Sequence, residues 1–174
     1  MIKSRNAGFT LIELMVVITI ILLLTSLGLA NYRRGEEVFA LERAAQKLAQ
    51  DLRRTAQIAM AGKERGGAFP AGGYGIYFPA GTNSSYILFA DLNGNSSYDG
   101  GDAVIENLSL KERGVRISSF SPGPSLSITF FPPNPTVTIN PNPGSPYKAT
   151  ITLSLGGEEK KIEINKVGLI DILD

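Results

Sequence analysis

Two sets of carboxylates in this chain stand where they could do chemistry. The first is a single residue. Glu13 heads an uncharged stretch, residues 14–30, made largely of aliphatic side chains. A carboxylate in a membrane-length apolar segment is costly, by roughly a few kcal/mol near the bilayer centre and less near its surface. Its chemistry is charge pairing. It is unfavourable alone and compensated when a neighbour brings a cation into the same medium, which makes it a device for setting register between chains. The second set is the loop Asp91-Leu92-Asn93-Gly94-Asn95-Ser96-Ser97-Tyr98-Asp99-Gly100-Gly101-Asp102. Asp91, Asn93, Asn95, Asp99 and Asp102 carry oxygen at loop positions 1, 3, 5, 9 and 12, and Ser97 offers its carbonyl at position 7. That is the ligand spacing of a calcium loop. Two positions depart from it: Ser96 replaces the usual glycine, and Asp102 is shorter than the usual glutamate. The flanks read as strands rather than helices. A hairpin tip, where Asp, Asn and Gly satisfy the backbone locally, is the other reading.

Composition excludes much else. The chain has no cysteine, so it has no disulfide framework and no thiol chemistry. It has no histidine, which removes the commonest general base and the commonest metal ligand. No acidic pair stands out, and no glycine-rich phosphate loop joins a strand to a helix. The sequence therefore points away from an enzyme. Removing Lys3 and Arg5 with a leader turns the formal charge of +1 into −1. A near-neutral chain gives no support to broad electrostatic binding of nucleic acid.

The elements that must position these residues follow from periodicity. Residues 1–8 are short, polar and basic, and form a leader. Residues 9–30 form an apolar run long enough to cross a bilayer, with Lys3 and Arg5 holding the N-terminus on the cytoplasmic side. In residues 31–61, Val38, Leu41, Ala45, Leu48, Leu52, Ala56 and Ala59 recur at three- and four-residue spacings, which predicts an amphipathic helix with one buried stripe. No proline interrupts residues 9–61, and Gly62 is the stop. Residues 62–174 comprise a Gly/Pro-rich connection, 62–73, and a β-sheet head. Strands are expected over 75–78, 85–90, 103–110, 115–120, 126–131, 136–140, 149–155 and 160–165, with turns between them. The fold class is α+β: a long N-terminal helix, membrane-spanning and then amphipathic, packed on a C-terminal antiparallel sheet or pair of sheets. Prolines 132, 133, 135, 141, 143 and 146 mark an edge or exposed loop, with a solvent-facing hairpin around Val137 and Ile139. That loop reads as an edge that refuses to pair, or as a contact to another subunit.

The run Gly8-Phe9-Thr10-Leu11-Ile12-Glu13-Leu14-Met15-Val16-Val17-Ile18 resembles the class III signal of type IV pilins and type II secretion pseudopilins. The resemblance implies cleavage between Gly8 and Phe9 by a prepilin peptidase and N-methylation of the new Phe9 amine. It also implies assembly into a filament with other pilin or pseudopilin subunits, in which Glu13 pairs with a neighbour's N-terminal amine. The implied location is the inner membrane, single-pass with the head extracytoplasmic, and then the filament or cell surface. The hairpin from Tyr86 to Asp102, and Lys161-Ile162-Glu163-Ile164-Asn165-Lys166-Val167-Gly168, are similar to minor pseudopilins of the GspH and FimT kind. The chain lacks the disulfide of many pilins and the helix-bending proline of major pilins, which favours a minor subunit. Type IV pilus and type II secretion both remain open. The competing class is a signal-anchored extracytoplasmic binding module or enzyme that uses the helix only as an anchor. Such a protein gains nothing from Glu13.

Overall fold

The computed structural model describes residues 8–64, 68–81, 83–132, 136–140 and 147–173, with the side chains of residues 27–33 outside that description. Two compact units, Met1–Glu36 and Glu37–Asp174, divide the chain. One helix, α1 (Leu11–Met60), contributes to both.

In the first unit the side chains described along α1 are exposed on all faces, from Leu11 at 77% to Leu24 at 66%. An apolar helix with no covered stripe is one built for an apolar surrounding rather than for a core of its own. Its hydroxyls need nothing from that surrounding. Thr19 donates to the Met15 carbonyl, Thr25 to Ile21 and Ser26 to Leu23, at 2.7–2.8 Å. Among the described residues no helix is long and apolar enough to cross a membrane. The far end of the expected 9–30 span falls among residues 27–33. The leader, residues 1–7, lies outside the described residues.

The second unit is helix and two antiparallel sheets. Its strands are β1 (Gly73–Phe78), β2 (Ser85–Asp91), β3 (Ala103–Ser109), β4 (Arg116–Ser121), β5 (Leu126–Phe131), β6 (Thr136–Ile139), β7 (Lys148–Leu155), β8 (Glu158–Asn165) and β9 (Ile170–Leu173). The first sheet runs β3-β2-β1-β5-β6 and the second β4-β7-β8-β9. Main-chain bonds join the sheets at two corners. At one, Ile117 donates to Asn83 at 2.6 Å; at the other, Val137 donates to Lys166 at 3.2 Å. The inner faces of both sheets and the stripe Leu41, Ala44, Ala45, Leu48, Ala49, Leu52 and Ala59 form one core.

The sequence reading needs three corrections. Val38 lies 44% exposed, so the stripe starts at Leu41 instead. Of the sheet or pair of sheets expected, the head has the pair; partner choice between distant strands carries no local signal that would have decided it. A ninth strand, β9, closes the second sheet against β8. Val137 and Ile139 face the core at 2% and 0% exposure, while Thr136 points outward. The period-two alternation of β6 therefore turns the apolar residues in, although the strand is the edge of its sheet. Most of the proline segment, residues 133–135 and 141–146, lies outside the described residues.

Candidate functional site

At the start of α1 the sequence Thr10-Leu11-Ile12-Glu13 closes on itself. The Thr10 main-chain N–H donates to Glu13 Oε2 at 2.9 Å, and the Thr10 hydroxyl donates to the same oxygen at 2.7 Å. The Glu13 N–H donates back to Thr10 Oγ1 at 3.3 Å. This is a capping box, with Thr10 as N-cap and Glu13 three residues on. Its signal, a threonine followed three residues later by glutamate, was present in the sequence and was not read from it. The carboxylate thus has partners within its own chain, the Thr10 N–H and hydroxyl, while Thr10 Oγ1 accepts one of the free N–H groups of the helix start. Phe9 is 87% exposed, and Gly8 precedes the helix. Gly8, Phe9 and Glu13 lie together at the N-terminal end of α1, as their spacing requires.

The 91–102 loop is held by its own side chains. Asp91 is fully buried; its Oδ1 accepts from Gly94 N–H at 2.7 Å and its Oδ2 from Ser96 N–H at 2.6 Å. A Cβ on Gly72 would overlap that carboxylate, so only glycine fits there. Asp102 accepts from the N–H groups of Leu92 at 3.1 Å and Asp99 at 2.9 Å. Asp99 accepts from Gly101 N–H at 2.7 Å and from the amides of Asn93 and Asn95. The asparagine oxygens accept from Asn95 N–H and Ser97 N–H, at 3.0 and 2.8 Å.

The five residues expected as calcium ligands thus share one hydrogen-bonded loop. Among the described residues, no group of three or more His, Cys, Asp or Glu could hold a metal ion. The Gly101 N–H, then the two asparagine amides, hold the Asp99 carboxyl below its ordinary range. Burial pushes Asp102 up, with the Asp91 and Asp99 charges adding to it, against the two N–H donors that pull it down.

The loop also covers the outer face of the first sheet. Tyr98 stacks on Tyr77 with centroids 5.0 Å apart and meets Phe89 edge-on at 5.3 Å. Gly75, opposite Phe89 in the β1–β2 register, leaves room for the Phe89 ring.

A further polar group was missed because it sits inside the helical stripe. Asp51, 7% exposed, accepts the Tyr86 hydroxyl at 2.5 Å and the Lys47 ammonium at 2.7 Å. Burial first, and then the bond to Asp51, push the Tyr86 hydroxyl far up, so it stays a donor. The spacing Leu48, Asp51, Thr55, Ala59 was the available signal, because it places Asp51 on the buried line.

Residues 3–29 match the prokaryotic N-terminal methylation motif. Residues 44–168 match the family of the type II transport protein GspH. No curated protein and no solved structure matches the chain.

Proposed function

The chain belongs to the type II transport protein GspH family, and on that premise we propose that it is a minor pilin or pseudopilin that works by assembly. Its leader, residues 1–8, is removed between Gly8 and Phe9 by a membrane prepilin peptidase, and the Phe9 amine is methylated. Residues 9–30 anchor the chain as a single pass in the inner membrane and become filament core. Residues 31–61 carry the head, 62–174, on the extracytoplasmic side. The single observation that carries this reading is the methylation motif, residues 3–29, on the same chain as the GspH match, residues 44–168.

Glu13 has a specific part in the proposal. The capping box compensates its charge in the free subunit, and a neighbour's Phe9 amine offers a stronger, charged partner in the apolar filament core. Assembly exchanges one for the other. The proposed role calls on no cofactor, because assembly works by packing of helices and pairing of charges between subunits. A protein that used α1 only as an anchor would need neither the cleavage point nor Glu13.

Processing is tested by expressing the full chain with and without its prepilin peptidase and measuring the intact mass. The expected product begins at Phe9 and carries one added methyl group, and Gly8→Ala blocks it. A chain shortened to the same extent in wild type and Gly8→Ala contradicts the assigned cleavage point.

A further inference from the structure

Asn93-Gly94 is the single Asn-Gly pair in the chain, and such a pair carries its own chemistry. The Gly94 nitrogen, on losing its proton, can attack Asn93 Cγ, because glycine has no Cβ to crowd the approach. The new N–C bond closes a cyclic imide. The bond from Cγ to Nδ2 breaks, and Nδ2 leaves as ammonia with a proton relayed through water. Water then opens the imide and leaves a carboxylate, as aspartate or isoaspartate. No redox step is involved. The glycine is fixed by the turn itself, since Gly94 stands at φ +76°.

In the folded loop both reacting groups are held elsewhere. The Gly94 N–H donates to the buried Asp91 carboxylate at 2.7 Å. An anionic acceptor favours keeping that proton on nitrogen. The Asn93 carboxamide is held at both ends. Its Nδ2 donates to the two Asp99 carboxyl oxygens at 3.1 and 3.0 Å, and its Oδ1 accepts from the Asn95 N–H at 3.0 Å. Asn93 is nonetheless exposed, so water reaches it. Hydrogen bonds, and not burial, stand between this pair and the reaction.

We propose that Asn93 is a deamidation site which the 91–102 loop holds closed, and that deamidation makes an opening of the loop irreversible. The reaction proceeds from the open loop, so its rate tracks the population of that state. The product cannot close as before. A carboxylate at position 93 has no N–H to give Asp99, and it adds a like charge where Asp91 and Asp99 already act on Asp102. The lost ammonia does not return. The inference stands whether or not the chain assembles into a filament.

The test incubates the full chain in detergent, with a chelator and at mildly alkaline pH, beside the same chain unfolded in urea. Peptide mapping by mass spectrometry follows Asn93. The folded chain is expected to react at least about tenfold more slowly than the unfolded one. Asp99→Ala, at an exposed position, frees the carboxamide and should speed the folded reaction about three- to tenfold. Asp91→Ala frees the Gly94 nitrogen and should speed it at least about tenfold. Asn93→Asp places the carboxylate directly and should speed hydrogen exchange of the Gly94, Ser96 and Gly101 amides at least about threefold. Equal rates in the folded and unfolded chain would overturn the proposal, and that comparison needs no variant to fold. Wild-type rates in both Asp99→Ala and Asp91→Ala would overturn the part given to their hydrogen bonds. Unchanged exchange in Asn93→Asp would overturn the irreversible step.

Discussion

Glu13 has one partner in its own subunit and, in the proposed assembly, a second in a neighbour's amine. Within the subunit its carboxylate closes a capping box with Thr10. The proposed filament offers it a charged amine instead. The sequence makes the carboxylate legible as an anomaly in an apolar run, because charge and hydropathy are local properties. The box is equally local: Thr10 is followed three residues later by Glu13 at the head of the apolar run. Asp91, expected as a calcium ligand, anchors the loop through its bonds from the Gly94 and Ser96 N–H groups. Asp91→Ala leaves the Gly94 and Ser96 N–H groups without their charged acceptor and should cost about 2 kcal/mol. A urea titration that found no loss would show that the loop does not depend on it.

Acid stability belongs to this scale too. Hydrogen bonds from Lys148 first, and then from Thr150, hold the Glu163 carboxyl below its ordinary value. A folded pKa below the unfolded one contributes stability that is present above about pH 4 and lost as pH falls through the folded pKa. Glu112, held low by Arg43, acts in the same direction. Asp102, pushed up by burial, acts in the opposite one. The urea midpoint should therefore fall between about pH 5 and pH 3. Glu163→Gln should flatten that fall, and an unchanged pH profile in the variant would refute the assignment.

At the scale of elements, most of the head could be read from the chain. Helix α1 was expected over 9–61 and runs Leu11–Met60, because its apolar spacing is unbroken and Gly62 ends it at a positive φ. Strand β5 was expected with the bounds it has, and β1–β4 and β6–β8 within one or two residues, because turn residues delimit them. What could not be read was pairing. Two sheets rather than one follow from which strands meet across the core. Strand β9, only four residues at the end of the described chain, has too short a pattern to stand out. The near-complete burial of β1, on both faces, was also hidden. It depends on Tyr98 folding back over Tyr77 and Phe89, with Phe89 set against Gly75. Gly75 is accordingly intolerant: a Cβ there would lie 2.7 Å from the Phe89 ring and 2.8 Å from the Ile128 carbonyl. Gly75→Ala should lower stability by about 1–3 kcal/mol, read as a shift in urea midpoint at unchanged slope. A neutral result would mean that the outer layer of Tyr77, Phe89 and Tyr98 is loosely packed.

For the whole molecule, the division of labour is between the unit Met1–Glu36, none of whose described residues joins the core, and the unit Glu37–Asp174, which holds it. The first presents apolar side chains in every direction and keeps one carboxylate at its head. That arrangement leaves the first unit's burial to other molecules, which is why assembly rather than chemistry on a substrate is the function proposed. The most direct test exploits the capping box. Glu13→Gln retains a side chain that can close the box with Thr10 but removes the charge. In cells expressing the other filament subunits, cysteine-free wild-type background and Glu13→Gln chains can be compared by amine cross-linking of purified filaments. The account predicts that Glu13→Gln is cleaved at Gly8, stays in the membrane and fails to enter filaments. Incorporation of Glu13→Gln at the wild-type level would contradict it.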